Sequence, residues 1–177
     1  WEIDDVGFTR RSYGNSFALP KAASSPEELS PILAKLVNKT GSRLRRAGYK
    51  ARGVRLAITY RDHTFWHKGK TTAEALFDSR DIYKEIISLL IRCPYRKPVS
   101  QLFVTVFGLS RSPSSQLALF EDIERKERLI QACDEVNERW GSFVITPARM
   151  LGTQNLVPDR IAFGGVKELE EFTLDSR

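Results

Sequence analysis

Histidine and cysteine are scarce. Two of each, His63, His67, Cys93 and Cys133, occur in 177 residues. A zinc site would need unusual ligands, and no disulfide framework is expected. That cysteine usage fits a reducing cytoplasm. No apolar run approaches the roughly 20 residues of a membrane helix. The chain opens Trp1-Glu2-Ile3-Asp4-Asp5, with no starter Met and no signal-peptide pattern, and reads as an excised fragment or a processed chain. P-loop and dinucleotide glycine patterns are missing too. Gly164-Gly165 lacks the strand-to-helix setting such patterns need.

Catalytic constellations are equally thin. Asp62-His63 resembles half a catalytic pair, but its place between two strands reads as a hairpin turn. Asp4-Asp5 would need a third carboxylate to hold a metal. Glu27-Glu28 is explained by helix capping. Cys93 follows Arg92, which favours a thiolate, yet no base accompanies it. No catalytic residue, metal site or cofactor is expected within this chain.

What is present is a foldable composition and an uneven charge. At 41% hydrophobic and 28% charged the chain can build one core, with a net charge of +6. Residues 43 to 70 hold nine Lys or Arg against one acid, Asp62, whereas residues 121 to 140 hold seven acids and four basic residues. A basic run of this density attracts a polyanion and makes binding salt-sensitive.

The periodicity alternates between two kinds. Residues 11 to 19 read as a short strand with Tyr13, Phe17 and Leu19 available to a core. Ser25-Pro26-Glu27-Glu28 has the form of a helix start: cap, Pro at the first position, Glu at the third. Leu29, Ile32, Leu33, Leu36, Val37, Thr40 and Leu44 follow at helical spacing, and Gly48 is the stop. Val54, Leu56, Ile58 and Tyr60 then alternate with polar or basic residues at period two. Asp62-His63-Thr64 turns the chain into a second strand, Phe65 to Phe77. Ile82, Ile86, Leu89 and Leu90 mark a second helix capped by Asp78-Ser79. Gln101 to Phe107 is the next strand. The predicted fold is α+β: a four-stranded, mostly antiparallel sheet with two helices on one face (βαββαβ), followed by a helical C-terminal extension. The other sheet face stays open and basic. Lys68, Lys70 and Thr72 are expected to join Arg55, Thr59 and Arg61 there. In the extension, Ile123, Leu129, Ile130, Cys133, Val136 and Trp140 are the apolar positions of a third helix.

Three stretches in this order resemble a known family. They are Arg11-Ser-Tyr-Gly-Asn-Ser-Phe-Ala-Leu-Pro20, Val54 to Phe65 with its Tyr60-Arg-Asp-His-Thr-Phe65 ending, and Val99 to Leu109. Together they resemble the little finger, or polymerase-associated, domain at the C-terminus of bacterial Y-family translesion DNA polymerases, nearest the UmuC, MucB and ImpB group. The resemblance covers residues 11 to 109 and continues more loosely to about 163. It implies an arm at 1–10, a little finger at 11–109, a linker at 110–120, a helical extension at 121–163 and a tail at 164–177. It further implies a non-catalytic fragment that holds primer-template DNA. The parent's palm, fingers and thumb, with its Mg2+, lie elsewhere, and the parent acts in DNA repair and the SOS response. Arg11, Arg61 and Lys70 match basic positions of the family and are implied phosphate contacts. Ser100 and Phe103 depart from it, standing where relatives often carry Arg and Gly.

The same resemblance reaches Gln116-Leu117-Ala118-Leu119-Phe120. This pentapeptide looks like the bacterial sliding-clamp binding pattern Gln-Leu-any-Leu-Phe. The resemblance implies that Gln116 hydrogen-bonds at one sub-site while Leu117, Leu119 and Phe120 fill an apolar pocket. Packing of the three apolar residues beneath the next helix is the competing assignment. A clamp-interacting adaptor without DNA binding remains the second functional expectation. An RNA-binding module is the third, although no RNA-recognition aromatic motif is present.

Overall fold

The computed structural model describes residues 12–111, 121–141 and 143–151, with the backbone alone at 121–123. Strand β1, Ser12–Ala23, leads to helix α1, Pro26–Arg46. Strand β2, Lys50–Tyr60, turns into β3, Phe65–Leu76. Helix α2, Ser79–Ile91, then leads to β4, Val99–Ser110. All ladders are antiparallel and the spatial order is β1-β4-β2-β3. The expected βαββαβ order and four-stranded sheet are therefore present.

Each helix begins where the sequence supplies a cap. Ser25 Oγ accepts from Glu28 N at 3.2 Å, and Glu28 Oε2 accepts from Ser25 N at 3.3 Å. This reciprocal box satisfies donors the first turn would otherwise leave open. Asp78 caps α2 by accepting from Arg80 N at 2.8 Å. Gly48, just past α1, takes φ +71, a conformation that costs glycine little.

Both helices pack on one sheet face. Leu33, Leu36, Leu44, Ile82 and Ile86 meet Val54, Leu56, Ile58, Leu102, Val104 and Val106, and all are buried. Trp66 is half-buried against this core, so His67 faces the other way. At the β2–β3 turn, Asp62 Oδ1 accepts from Thr64 N at 3.0 Å, and His63 takes φ 64. Hydrogen bonds from Lys97 and then Thr64 hold the Asp62 carboxyl well below the ordinary aspartate range. The pair is a turn, as its position between strands suggested.

Helix α3, Glu121–Trp140, and a short 3-10 turn, Ala148–Met150, complete the described structure. Of the expected apolar positions, Ile130, Cys133 and Val136 are half-buried. No described α3 side chain is fully buried; Leu129 is 55% and Trp140 67% exposed. Charge pairs also hold the helix. Asp134 pairs with Arg45 at 2.6 Å, Glu138 with Arg46 at 2.9 Å and Glu127 with Lys50 at 2.7 Å. Lys126 bridges Asp81 and Asp78 at the start of α2. A cleft of about 460 Å³, lined in part by Tyr49, Phe77 and Ile130, remains beside the pairs. The segment beyond α3 seats Met150 against α1, while Arg149 stands 4.2 Å from the Tyr83 ring of α2. The described part of the extension thus lies on the helices and the start of β2, not on the open sheet face.

Candidate nucleic-acid interface

Strand register decides what the open face carries. In β2, Arg55, Ala57 and Thr59 alternate with the buried Val54, Leu56 and Ile58. Antiparallel partners share a face. Across β4 the outer partners are Thr105, Phe103 and Gln101; across β3 they are Gly69, His67 and Phe65. From β1, Gly14, Ser16 and Ala18 join Thr105, Phe103 and Gln101. The outer face thus mixes one arginine, hydroxyls, small residues and aromatic rings.

This register corrects the expected cluster. Lys68 lies opposite Leu56 and Lys70 opposite Val54, so both project from the helix side of the edge strand. Lys70 donates to Glu85 of α2 at 2.6 Å. Thr72 donates to the Glu74 carbonyl at 2.7 Å and the Arg52 carbonyl at 3.4 Å. The short turn keeps even-numbered residues of β3 beside even-numbered residues of β2, which sends the lysines toward the helices. The expected cluster assumed the alternative register, and one step of register exchanges the two faces. Phe65 and His67 take the places assigned to the lysines.

The other predicted positions are distributed as follows. Arg55 is exposed, its guanidinium 5.4 Å from the Phe107 ring centre. Thr59 is half-buried on the same face. Exposed Arg61 donates to the Leu19 carbonyl at 3.0 Å and the Pro20 carbonyl at 3.4 Å. Among the described residues its guanidinium meets only these neutral acceptors and no carboxylate. Ser100, at a position where the family often has Arg, donates to the Thr59 carbonyl at 2.9 Å. Arg11, Gln116, Leu117, Leu119 and Phe120 lie outside the described residues.

Part of the charge run is paired within the fold. Arg45, Arg46, Lys50 and Lys70 are paired with carboxylates of α3 or α2. Part of the basic surplus therefore holds the extension in place. Exposed Arg52, Arg55, Arg61 and Lys68 are the sheet-strand and turn cations of this run without a carboxylate partner among the described contacts.

Nor do the described residues fit the Mg2+ expected of the parent enzyme. No three His, Cys, Asp or Glu side chains among them gather into a metal-holding group. Asp78 and Asp81 share Lys126 instead. No metal-dependent step is assigned to these groups.

Comparison with known proteins gives a consistent frame. The model of the impB/mucB/samB family C-terminal domain matches residues 10–119. A DNA polymerase IV of Pelotomaculum thermopropionicum is 28% identical over 160 residues, covering 89% of this chain and 40% of that protein. Another DNA polymerase IV, from Moorella thermoacetica, is 30% identical over 138 residues, covering 77% of this chain and 34% of its own. The chain thus spans well under half the length of these relatives. Among solved structures, a Y-family DNA polymerase chimera of Dbh and Dpo4 aligns with a TM-score of 0.51 at 18% identity, over 59% of this chain and 30% of the chimera. That likeness concerns the fold.

Proposed function

Because the chain belongs to the impB/mucB/samB C-terminal domain family, we propose that it is the DNA-holding and clamp-tethering region of a translesion DNA polymerase. The chemistry of nucleotidyl transfer, with its Mg2+, belongs to parent domains outside this sequence. The division into a little finger at 11–109, a clamp-binding linker at 110–120, an extension at 121–163 and a tail at 164–177 is part of the same proposal. Its setting is the bacterial cytoplasm, in DNA damage tolerance.

One observation carries the DNA part: the family-matched sheet leaves one face uncovered by any described element, with Arg55 and Thr59 on it and Arg61 at its rim. Cations and hydroxyls on such a face suit phosphate oxygens and position a duplex without reading sequence. Arg11, which matches a basic position of the family, would add a phosphate contact. Lys68 and Lys70 would contribute only along the β3 edge, since their register turns them from the sheet's outer face, and the Thr72 hydroxyl is engaged by the Glu74 and Arg52 carbonyls.

The clamp part rests on Gln116-Leu-Ala-Leu-Phe120. In sequence it falls between the last strand, β4, and α3. A peptide there can reach a clamp while the sheet remains on DNA.

Titration of duplex and primer-template DNA at two salt concentrations tests the first part. Binding should weaken as salt rises and should fall further in the Arg55→Ala/Arg61→Ala variant; unchanged affinity in that variant would reject the assigned face. Capture on immobilised bacterial clamp tests the second. The Leu119→Ala/Phe120→Ala variant should lose capture while keeping its thermal transition. A second reading, an adaptor that binds clamp but no DNA, draws on the internal pairing of Arg45, Arg46, Lys50 and Lys70. Clamp capture without DNA binding at low salt would favour it.

A further inference from the structure

Phosphate holding leaves the rings of the outer face unexplained. Phe65 is 57% exposed, and its ring centre is 5.5 Å from that of His67. His67, Ala57 and Phe103 form one cross-strand row; Phe65, Thr59 and Gln101 form the next. Two rings therefore flank Ala57, which is too small to separate them with a raised side chain. Gly69 and Gly14 keep the neighbouring row low on either side of Arg55 and Thr105.

A phenyl ring gains nothing from a phosphate oxygen and costs free energy when left in water. A nucleobase presents a π face, so an exposed ring on a flat sheet gains by stacking. Bases inside a duplex are already stacked and present only their edges in the grooves. The rings therefore match an unpaired stretch of strand adjoining the held duplex. Arg55, one row from His67 and Phe103, supplies the cation its backbone needs. Thr59 and Gln101, beside Phe65, supply hydrogen-bonding groups for base edges.

We propose that the outer sheet face binds unpaired DNA nucleotides, with bases stacked on Phe65, His67 and Phe103 and a phosphate held by Arg55. This deepens the DNA-holding assignment and rests on it. The face then prefers a junction carrying a single-stranded template over a blunt duplex.

Fluorescence anisotropy of the full chain with three DNA ligands of equal charge tests the proposal: a base-bearing single strand, the same strand with abasic sites, and a duplex. The base-bearing strand should bind about 5- to 150-fold more tightly than the abasic one for each base stacked. Phe65→Ala should remove most of that difference and leave duplex binding unchanged, whereas Phe65→Trp should retain it. Phe65 is largely exposed, so an unchanged thermal transition is expected in both variants. Equal binding of base-bearing and abasic strands, or equal weakening of all ligands by Phe65→Ala, overturns base stacking while leaving DNA holding intact. No binding to any of the three, duplex included, overturns DNA holding as well.

Discussion

Gly53 shows how one missing side chain shapes the outer face. A Cβ there would stand 2.4 Å from the Phe107 ring, whose centre is 5.4 Å from the Arg55 guanidinium. Gly53→Ala must displace the ring or bend β2. Overpacking of this kind costs about 1–3 kcal/mol. The urea midpoint should fall accordingly, with no comparable fall for Gly48→Asn, whose left-handed site has open space. Equal midpoints for Gly53→Ala and the parent would reject the role given to that ring. At this scale some features were legible and others were not. Asp62-His63 could be read as a turn because Asx residues bond their own backbone two positions on. The contact of Phe107 with Gly53 could not be read, because it joins two strands whose register is set by distant packing.

Among elements, α1 was the most legible. Its capping box, apolar spacing and glycine stop all act within one or two turns, and each appears where the sequence put it. Strand β3 was legible as a strand but not in its facing, since a single step of register exchanges the two sides. Helix α3 was legible as a helix, but not in its docking, because its carboxylates meet a basic surface that only the fold assembles. Its docking should therefore depend on pH. Burial opposes ionisation of Asp81, but Lys126 and then Lys84 outweigh it and pull the carboxyl below its ordinary 3.8. A lowered pKa means that the ionised acid stabilises the folded arrangement above 3.8, and that this support is lost as pH falls through the lower, folded value. For Lys126 burial again opposes charge, and Asp81 and Asp78 overcome it to raise the amine above 10.5. Its support is complete below 10.5 and lost as pH rises through the higher, folded value. NMR should find the Asp81 carboxyl titrating below 3.8, with α3 amide shifts moving at the same midpoint. Asp81→Asn should abolish that coupled movement. An α3 whose shifts ignore the Asp81 titration would not be held by this pair.

For the whole molecule the decisive property is that its two sides are differently charged for different reasons. On the helix side, cations face the carboxylates of α3 and hold the extension. On the sheet side and its rim, Arg55 and Arg61 face neutral groups among the described residues. Composition could show the excess but not this partition, because Arg45 and Asp134 are distant in sequence and meet only through the fold. The partition predicts a difference in ion release. Each phosphate contact on a duplex contributes about −0.9 to the slope of log affinity against log salt. Arg55→Ala should thus weaken duplex binding and make the slope shallower by about 1. Arg46→Ala should leave the slope unchanged, since its exposed guanidinium is spent on Glu138 on the other side. Substitution of either residue gives the same change in net charge. Equal effects would mean that the molecule attracts DNA as a uniformly charged body, and the assignment of one face would fall; a change confined to Arg55 would locate the contact on the sheet.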